Sequence, residues 1–359
     1  MFSPVYSVTA KLLASISLVE RGRGRIDAAR LAPRQAADLR QQAELEMVVA
    51  SAGLSDHSLD RAQIEAILDG REVHARAQAV AEVRAAAAAI SWARQRQLDT
   101  SPLTLDDIQE LHRLFTRGLA MDHECGAFRA GPAVIVHQYL GAAWGDYKAP
   151  PADVVAPRLG ALLNWLAGAG ADPHPVIAAG IAHQEITAIR PFTLATGQIA
   201  RLVSRIVLAQ HGYSFHEGLA LGSYYLANRT AYHTALDNGA SYLERARASR
   251  DEWLDFYLRG LLNEVDRLTA LIAAFKVEGC PAGTGRVVRR DEASLLAFAQ
   301  EYGSVTKHDA ASILSPLPRR LVARRLAAMV AAGELAEDAS GDQVRYRPAS
   351  PAGAEAPAA

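Results

Sequence analysis

Before Gly279 this chain offers a single strand signal. Val134, Ile135 and Val136 are β-branched, lie within "GAFRAGPAVIVHQYLGAAWGDYKAPP", and are bounded by glycine and proline. One hairpin cannot organise the core of a chain of 359 residues, 50% of them apolar. That apolar half must be buried by helices packed on helices. Abundant alanine and an aromatic content of only 6% agree with this.

Apolar spacing predicts helices over Val8–Val19, Leu31–Ala52 (with Pro33 in its first turn and Gly53 after it), Leu59–Gly70 and Glu72–Arg96. Leu105, Ile108, Leu111, Leu114 and Phe115 then share one face behind Thr104, an N-cap ahead of Asp106 and Asp107. Gly126–Lys148 is a hairpin or flap. After Pro150-Pro151, helices resume at Val154–Ala167, Pro175–Ile186, Ala200–His211, Ser223–Leu236 and Arg250–Phe275. "GCPAGTGR" reads as a linker, assigned to residues 279–288. Beyond it, a helix at Glu292–Glu301, "SVTKHDAASIL" with Thr306 as cap, "PRRLVARRLAAMVAAGEL", and two short strands around Ser340-Gly341 follow in winged-helix order. This module occupies 289–348, and the Pro/Ala/Gly tail 349–359 is expected to be disordered.

The formal net charge of −1 gives no global polybasic character to attract nucleic acid or an anionic membrane. No apolar run reaches membrane-spanning length, and no signal peptide opens the chain. Cys125 and Cys280 are far apart and lack a metal-ligand spacing, which points to a reduced, cytoplasmic compartment. No membrane partner is expected.

The central region resembles the Fic (Fido) family. The likeness is carried by "HPVIAAGIAHQEITAIRPF", Ala195–Leu208, "GAFR", "YKAPP" with "LLNW" after it, "RTAYHTAL" and "WLDFYL", all in that family's order. It implies a mainly α fold: a Fic-like helical core with a β-hairpin flap, residues 1–95 being its N-terminal helical region and 96–278 the Fic-like domain, plus the small C-terminal winged-helix domain that several members carry. The family transfers AMP from ATP to protein hydroxyls through His-Pro-Phe-x-Asp/Glu-Gly-Asn-Gly-Arg-x-x-Arg. Its His is the general base, its acidic residue holds Mg²⁺, its Gly-Asn-Gly loop opens a helix whose N–H groups bind anions, and its arginines grip phosphate oxygens.

Laid on that motif, Arg190 stands at the His position and Leu194 at the acidic one. Pro191 and Phe192 match. Ala195, Thr196 and Gly197 take the Gly-Asn-Gly positions, Gln198 the first Arg, and Arg201 matches the second. Losing a general base costs about 10²–10⁴ in rate, and losing a preorganised donor roughly 10²–10³ more. A guanidinium stays protonated at any usable pH, so Arg190 is no substitute base. The family's inhibitory Ser/Thr-x-x-x-Glu segment aligns with "SAGLSD" (51–56), placing Ser55 where Glu would be.

The resemblance therefore implies a protein like the adenylyltransferases in scaffold but with a degenerate motif, not an AMP transferase, acting as a ligand- or nucleotide-binding regulator. Arg190, Thr196, Gly197, Gln198 and Arg201 are the candidate anion- or nucleotide-binding residues. ATP or another nucleotide is the candidate cofactor; Mg²⁺ and a metal site are not expected. Arg190 is alternatively bound to Glu185. His137, Tyr139 and Tyr147 are candidate flap residues for a protein target. Two alternatives stand beside this. An enzyme with altered chemistry would use His183, on the helical face leading to Arg190, as its catalytic base. A transcriptional regulator would bring Arg319, Arg320 and Arg324 to DNA. Partners are thus a small anionic ligand, a protein target or DNA, and a homodimer is open.

Overall fold

The computed structural model describes residues 2–55, 59–139, 142–169, 173–278, 290–314, 319–331, 333–338 and 344–349. The side chains of 134–146, 169, 276–278, 290, 291, 293 and 319 lie outside that description, as do the expected linker, tail and hairpin tip. The fold is mainly α, as expected. The chain forms two compact units, one of Met1–Asp27 with Leu39–Ala270, the other of Ala28–Asp38 with Leu271–Ala359.

The first unit holds α1 (Ala10–Asp27), most of α2 (Pro33–Leu54), α3 (Arg61–Leu68), α4 (Ala77–Arg96) and α5 (Leu105–Thr116). The hairpin of β1 (Val134–Tyr139) and β2 (Ala142–Lys148) follows. Then come α6 (Val155–Asn164), α7 (Pro175–Ile189), α8 (Thr196–Gln210), α9 (Leu221–Ala227), α10 (Arg229–Leu236), α11 (Tyr242–Arg247) and most of α12 (Asp251–Glu278). The sequence signals act locally as physics requires. Thr104 and Asp107 form a reciprocal capping box at α5, which buries Ile108, Leu111, His112 and Phe115. Pro175 opens α7, and the His174 Nδ1 accepts from the Val176 N–H. In α7 every residue from Val176 to Ile189 except Thr187 is buried, so this helix is the centre of the unit.

Boundaries differ where tertiary contacts intervene. α1 continues past Val19 to Asp27 because Gly22 permits a close crossing: a Cβ there would stand 2.1 Å from Val265 Cγ1. The helix expected over Ser223–Leu236 breaks at Asn228, whose Nδ2 donates to Tyr224 O at 2.9 Å and closes α9. The helix expected over Val154–Ala167 ends at Asn164 and passes into a π turn, with Gly168 at φ 90°. β1 and β2 pair antiparallel from Val134 opposite Lys148 to Tyr139 opposite Ala142, with an irregularity between Val136 and Gln138.

The second unit carries α13 (Arg290–Tyr302), β3 (Val305–Thr306), α14 (Lys307–Ile313), α15 (Arg319–Ala331), β4 (Leu335–Asp338) and β5 (Arg345–Pro348). Its strands form an antiparallel sheet in the order β3-β5-β4. Leu295, Val305, Leu314, Val322, Leu326, Met329, Leu335 and Tyr346 make its core. Thr306 and Asp309 cap α14 reciprocally. Among the described residues no helix is long and apolar enough to cross a membrane.

Candidate functional site

The loop 190–195 joins the C-terminus of α7 to the N-terminus of α8. Both its ends are left-handed: Arg190 has φ 50° and Ala195 φ 60°. Neither is glycine, so each costs about 1–2 kcal/mol of local strain. Phe192 is fully buried and stacks on the imidazole of His112, ring centroids 3.9 Å apart. The Thr196 hydroxyl donates to Phe192 O at 3.1 Å, so this buried side chain closes the loop and leaves only its backbone N–H for a ligand.

Arg129 clamps the loop from outside. Its backbone N–H donates to Pro191 O at 3.0 Å, its Nε to Arg190 O at 2.7 Å and its Nη1 to Gly131 O at 2.7 Å. This buried arginine was missed as a site residue, although it stands in the "GAFR" stretch that carries the resemblance.

Arg190 is half-buried beside Arg129 and Tyr147. Burial, then the charge of Arg129, lowers its pKa, yet a guanidinium remains protonated near neutrality. The alternative pairing with Glu185 is not found. Glu185 is buried against Arg250 and accepts from Tyr242 OH at 2.7 Å, while Arg250 Nη1 also donates to Gln184 at 3.0 Å. Glu185 lies on a different face of α7 from the chain exit at Arg190, where the left-handed turn redirects the backbone.

The N-terminus of α8 carries no side-chain cap bond at Ala195 and no acidic residue in its first turn. Its leading N–H groups and dipole thus suit an anion. The Arg201 head lies over this turn, its Nη1 3.5 Å from where a Gly197 Cβ would stand. The Arg201 charge also acts on the buried Tyr232 hydroxyl. Among the described residues no carboxylate pairs with Arg190 or Arg201. Gln198, by contrast, is engaged: its Nε2 donates to Ser51 Oγ at 3.0 Å and reaches Ser55 Oγ at 3.5 Å. Those two serines of α2 and its end belong to the segment aligned with the inhibitory one, whose Asp56 lies outside the described residues. Leu194 is 52% exposed and offers a metal no donor atom.

His183 is fully buried. Its Nε2 meets Tyr232 OH at 2.9 Å, Trp253 packs edge-on at 4.8 Å, and burial then the Arg201 charge push its pKa well below the ordinary value. It thus reaches the site only through Tyr232. Tyr147 is not displayed on the flap. It is buried, donates its hydroxyl to Ala188 O, and lies under the Arg245 guanidinium at 3.7 Å. Burial raises its pKa. It anchors β2 to α7 instead of meeting a target, because the covered face of the hairpin is set by α7, which alternation alone does not reveal. The side chains of His137 and Tyr139 lie outside the described residues.

Arg320 and Arg324 are exposed on α15, while Arg325 is half-buried against Glu292 at 3.5 Å. The Arg319 side chain lies outside the described residues.

With a loop between two buried helices, a helix N-terminus open to anions and the Arg201 head above it, the geometry can be set beside known proteins. Residues 102–208 match the Fic/DOC family model. This bears out the resemblance read from the sequence. A solved Fic family protein from Desulfovibrio desulfuricans G20 superposes with a TM-score of 0.63 at 22% identity, over 98% of this chain and 100% of that one. A Fic domain containing signaling protein from Bacteroides thetaiotaomicron gives 0.60 at 20% identity, over 74% of this chain and 97% of its own. Fic-1 of C. elegans gives 0.55 at 19%, over 75% and 73%. At such identities these likenesses speak for the fold alone. No curated protein matches the chain.

Proposed function

We propose that this chain is a Fic-scaffold binding protein with a degenerate motif, holding the phosphate of a nucleotide or another small anion at the α8 N-terminus and Arg201, and regulating through that occupancy. The observation that carries this is Arg190. A half-buried cation without a carboxylate partner among the described residues occupies the position of the family's base, beside an anion-receptive helix start. Two guanidiniums and the helix dipole favour a bound anion. They cannot accept the proton of an attacking hydroxyl. Leu194 does not fit Mg²⁺ either, so no step is routed through that ion. Ser51 and Ser55 meet Gln198, and no carboxylate among the described residues pairs with Arg201, the position the family's inhibitory Glu would hold; a site without transfer chemistry needs no such brake. His183, buried and held neutral, does not suit the alternative of a relocated base.

The test is calorimetric titration with ATP, ADP and AMP, with and without Mg²⁺. Binding that is insensitive to Mg²⁺ and weakened about tenfold or more by Arg201→Ala is expected. Transfer of label from ATP to the protein or a lysate, lost in Arg201→Ala, would overturn the proposal.

A second function, DNA contact by the C-terminal unit, is favoured by Arg320 and Arg324 exposed along one side of α15 in a unit of three helices and a small sheet. Salt-dependent binding of genomic fragments, weakened in the double variant Arg320→Ala/Arg324→Ala, is the expected result. Undiminished binding by that variant would exclude the surface.

A further inference from the structure

Beneath Arg201 lies a cavity of about 40 Å³ that the loop chemistry does not use. Residues of α2, α4, α5, α8 and α9 line it, with apolar walls from Met47, Ile90, Phe115 and, just before α9, Leu219. Two polar side chains line it unsatisfied. Arg205 is 7% exposed and donates Nη2 to Glu217 O at 3.2 Å, but its Nε and Nη1 have no protein partner among the described residues. Tyr225 is 1% exposed and its hydroxyl has none either. Buried donors are normally satisfied, and a buried cation normally has an anion.

Glu217 and Glu44 act on Arg205 through their charge, but neither carboxylate hydrogen-bonds its Nε or Nη1. Glu44 pairs with Arg94 at 3.0 Å, and Glu217 is shared between Arg40 at 3.6 Å and Arg94 at 4.0 Å. Burial lowers the Arg205 pKa to about 10, which still leaves it charged at neutral pH. One water needs roughly 10–15 Å³ of such space, so the cavity admits a group of a few heavy atoms.

We propose that the cavity is a binding site for a small monovalent anion, its acceptor atoms on Arg205 and Tyr225 and any hydrocarbon end against Met47, Ile90 and Phe115. The apolar walls select against divalent, strongly hydrated anions. Acetate-sized carboxylates and halides share the required chemistry, and the carboxylates also use the apolar wall. Arg201 and Gln198 also line the cavity, so it adjoins the loop site, and Arg205 and Tyr225 are the groups that distinguish it.

The experiment follows melting temperature and calorimetric heats of the full chain on titration with sodium propionate, acetate, chloride and sulfate at constant ionic strength. A saturable rise with the monovalent anions and none with sulfate is expected. Propionate ahead of chloride assigns the site to carboxylates, chloride alone to halides. Tyr225→Phe, which deletes only the hydroxyl, should weaken binding about tenfold. Arg205→Met should abolish it. Nucleotide binding at the loop should be unchanged in Tyr225→Phe, which separates the two sites. Equal, unsaturable effects of all four salts, or Tyr225→Phe binding as tightly as the parent, would overturn the proposal.

Discussion

α7 and the loop that follows it obey different rules. In α7 the buried face runs all the way round, so each side chain is held by many neighbours and the helix is specified many times over. In the loop 190–195 only Pro191 and Phe192 are buried; Thr193 and Leu194 are exposed, Arg190 and Ala195 half-exposed. The loop keeps its course through its two packed residues and the Arg129 clamp. The chemistry proposed for it sits at positions that packing constrains less. A scaffold can therefore retain its shape while the groups that would move a proton or hold a metal are exchanged.

The sharpest way to break this contrast is to cut one charge from each region. Glu185→Ala leaves Arg250, 2% exposed, without its carboxylate, and should cost about 3–5 kcal/mol in chemical denaturation. Arg190→Ala removes a cation with no ion pair among the described residues and should cost less than about 1 kcal/mol. Comparable losses would mean that the loop cation is structural after all.

His112 tests the junction of the two regions, since it carries the Phe192 stack. Its Nδ1 accepts from the Gly126 N–H at 2.9 Å. Burial, with a smaller push from Arg113, lowers its pKa to about 4. The unfolded imidazole takes its proton near the ordinary value of 6.5, the folded one only near 4. Its contribution is therefore complete above about pH 6.5 and is lost as pH falls toward 4. By pH 5 this amounts to about 2 kcal/mol. Urea unfolding at pH 7 and pH 5 should show the loss in the parent and a flatter dependence in His112→Gln. His183 titrates in the same direction in both proteins and cancels from the difference.

What the sequence discloses follows the same division. Helix existence was legible because apolar spacing repeats, and the α5 cap because Thr104 and Asp107 are three residues apart. Arg190 and Leu194 in the loop and Arg201 on α8 are read directly from the sequence, and the chemistry drawn from them belongs to the proposed function. Long-range partners were not. Gln198 meeting Ser51, Arg129 meeting Arg190 O and Glu185 meeting Arg250 join residues distant in the chain. No local period encodes such pairs. Tyr147 failed for a related reason: a strand pattern gives two faces but not which is covered. Asn228 stands at the end of α9, where its Nδ2 joins its own N–H on Tyr224 O, a local bond that apolar periodicity cannot register.

The smallest effects separate stability from binding within the loop itself. Ala195 is left-handed, so Ala195→Gly relieves about 1–2 kcal/mol of strain and returns about 0.4–1 kcal/mol as unfolded-chain entropy. A net gain of about 0.5–1 kcal/mol is expected. Gly197 is helical and its added Cβ would touch only Arg201 Nη1, at 3.5 Å, so Gly197→Ala should also stabilise by up to about 1 kcal/mol. The two differ in what they do to a ligand. A methyl at 197 would stand 3.5 Å from Arg201 Nη1, against the head proposed to hold the anion, whereas a hydrogen at 195 adds nothing there. Nucleotide titration should therefore find Gly197→Ala more stable but weaker in binding, and Ala195→Gly more stable with binding retained. If Gly197→Ala binds as well as the parent, the space above α8 is not where the anion sits, and loop and helix no longer divide function from packing.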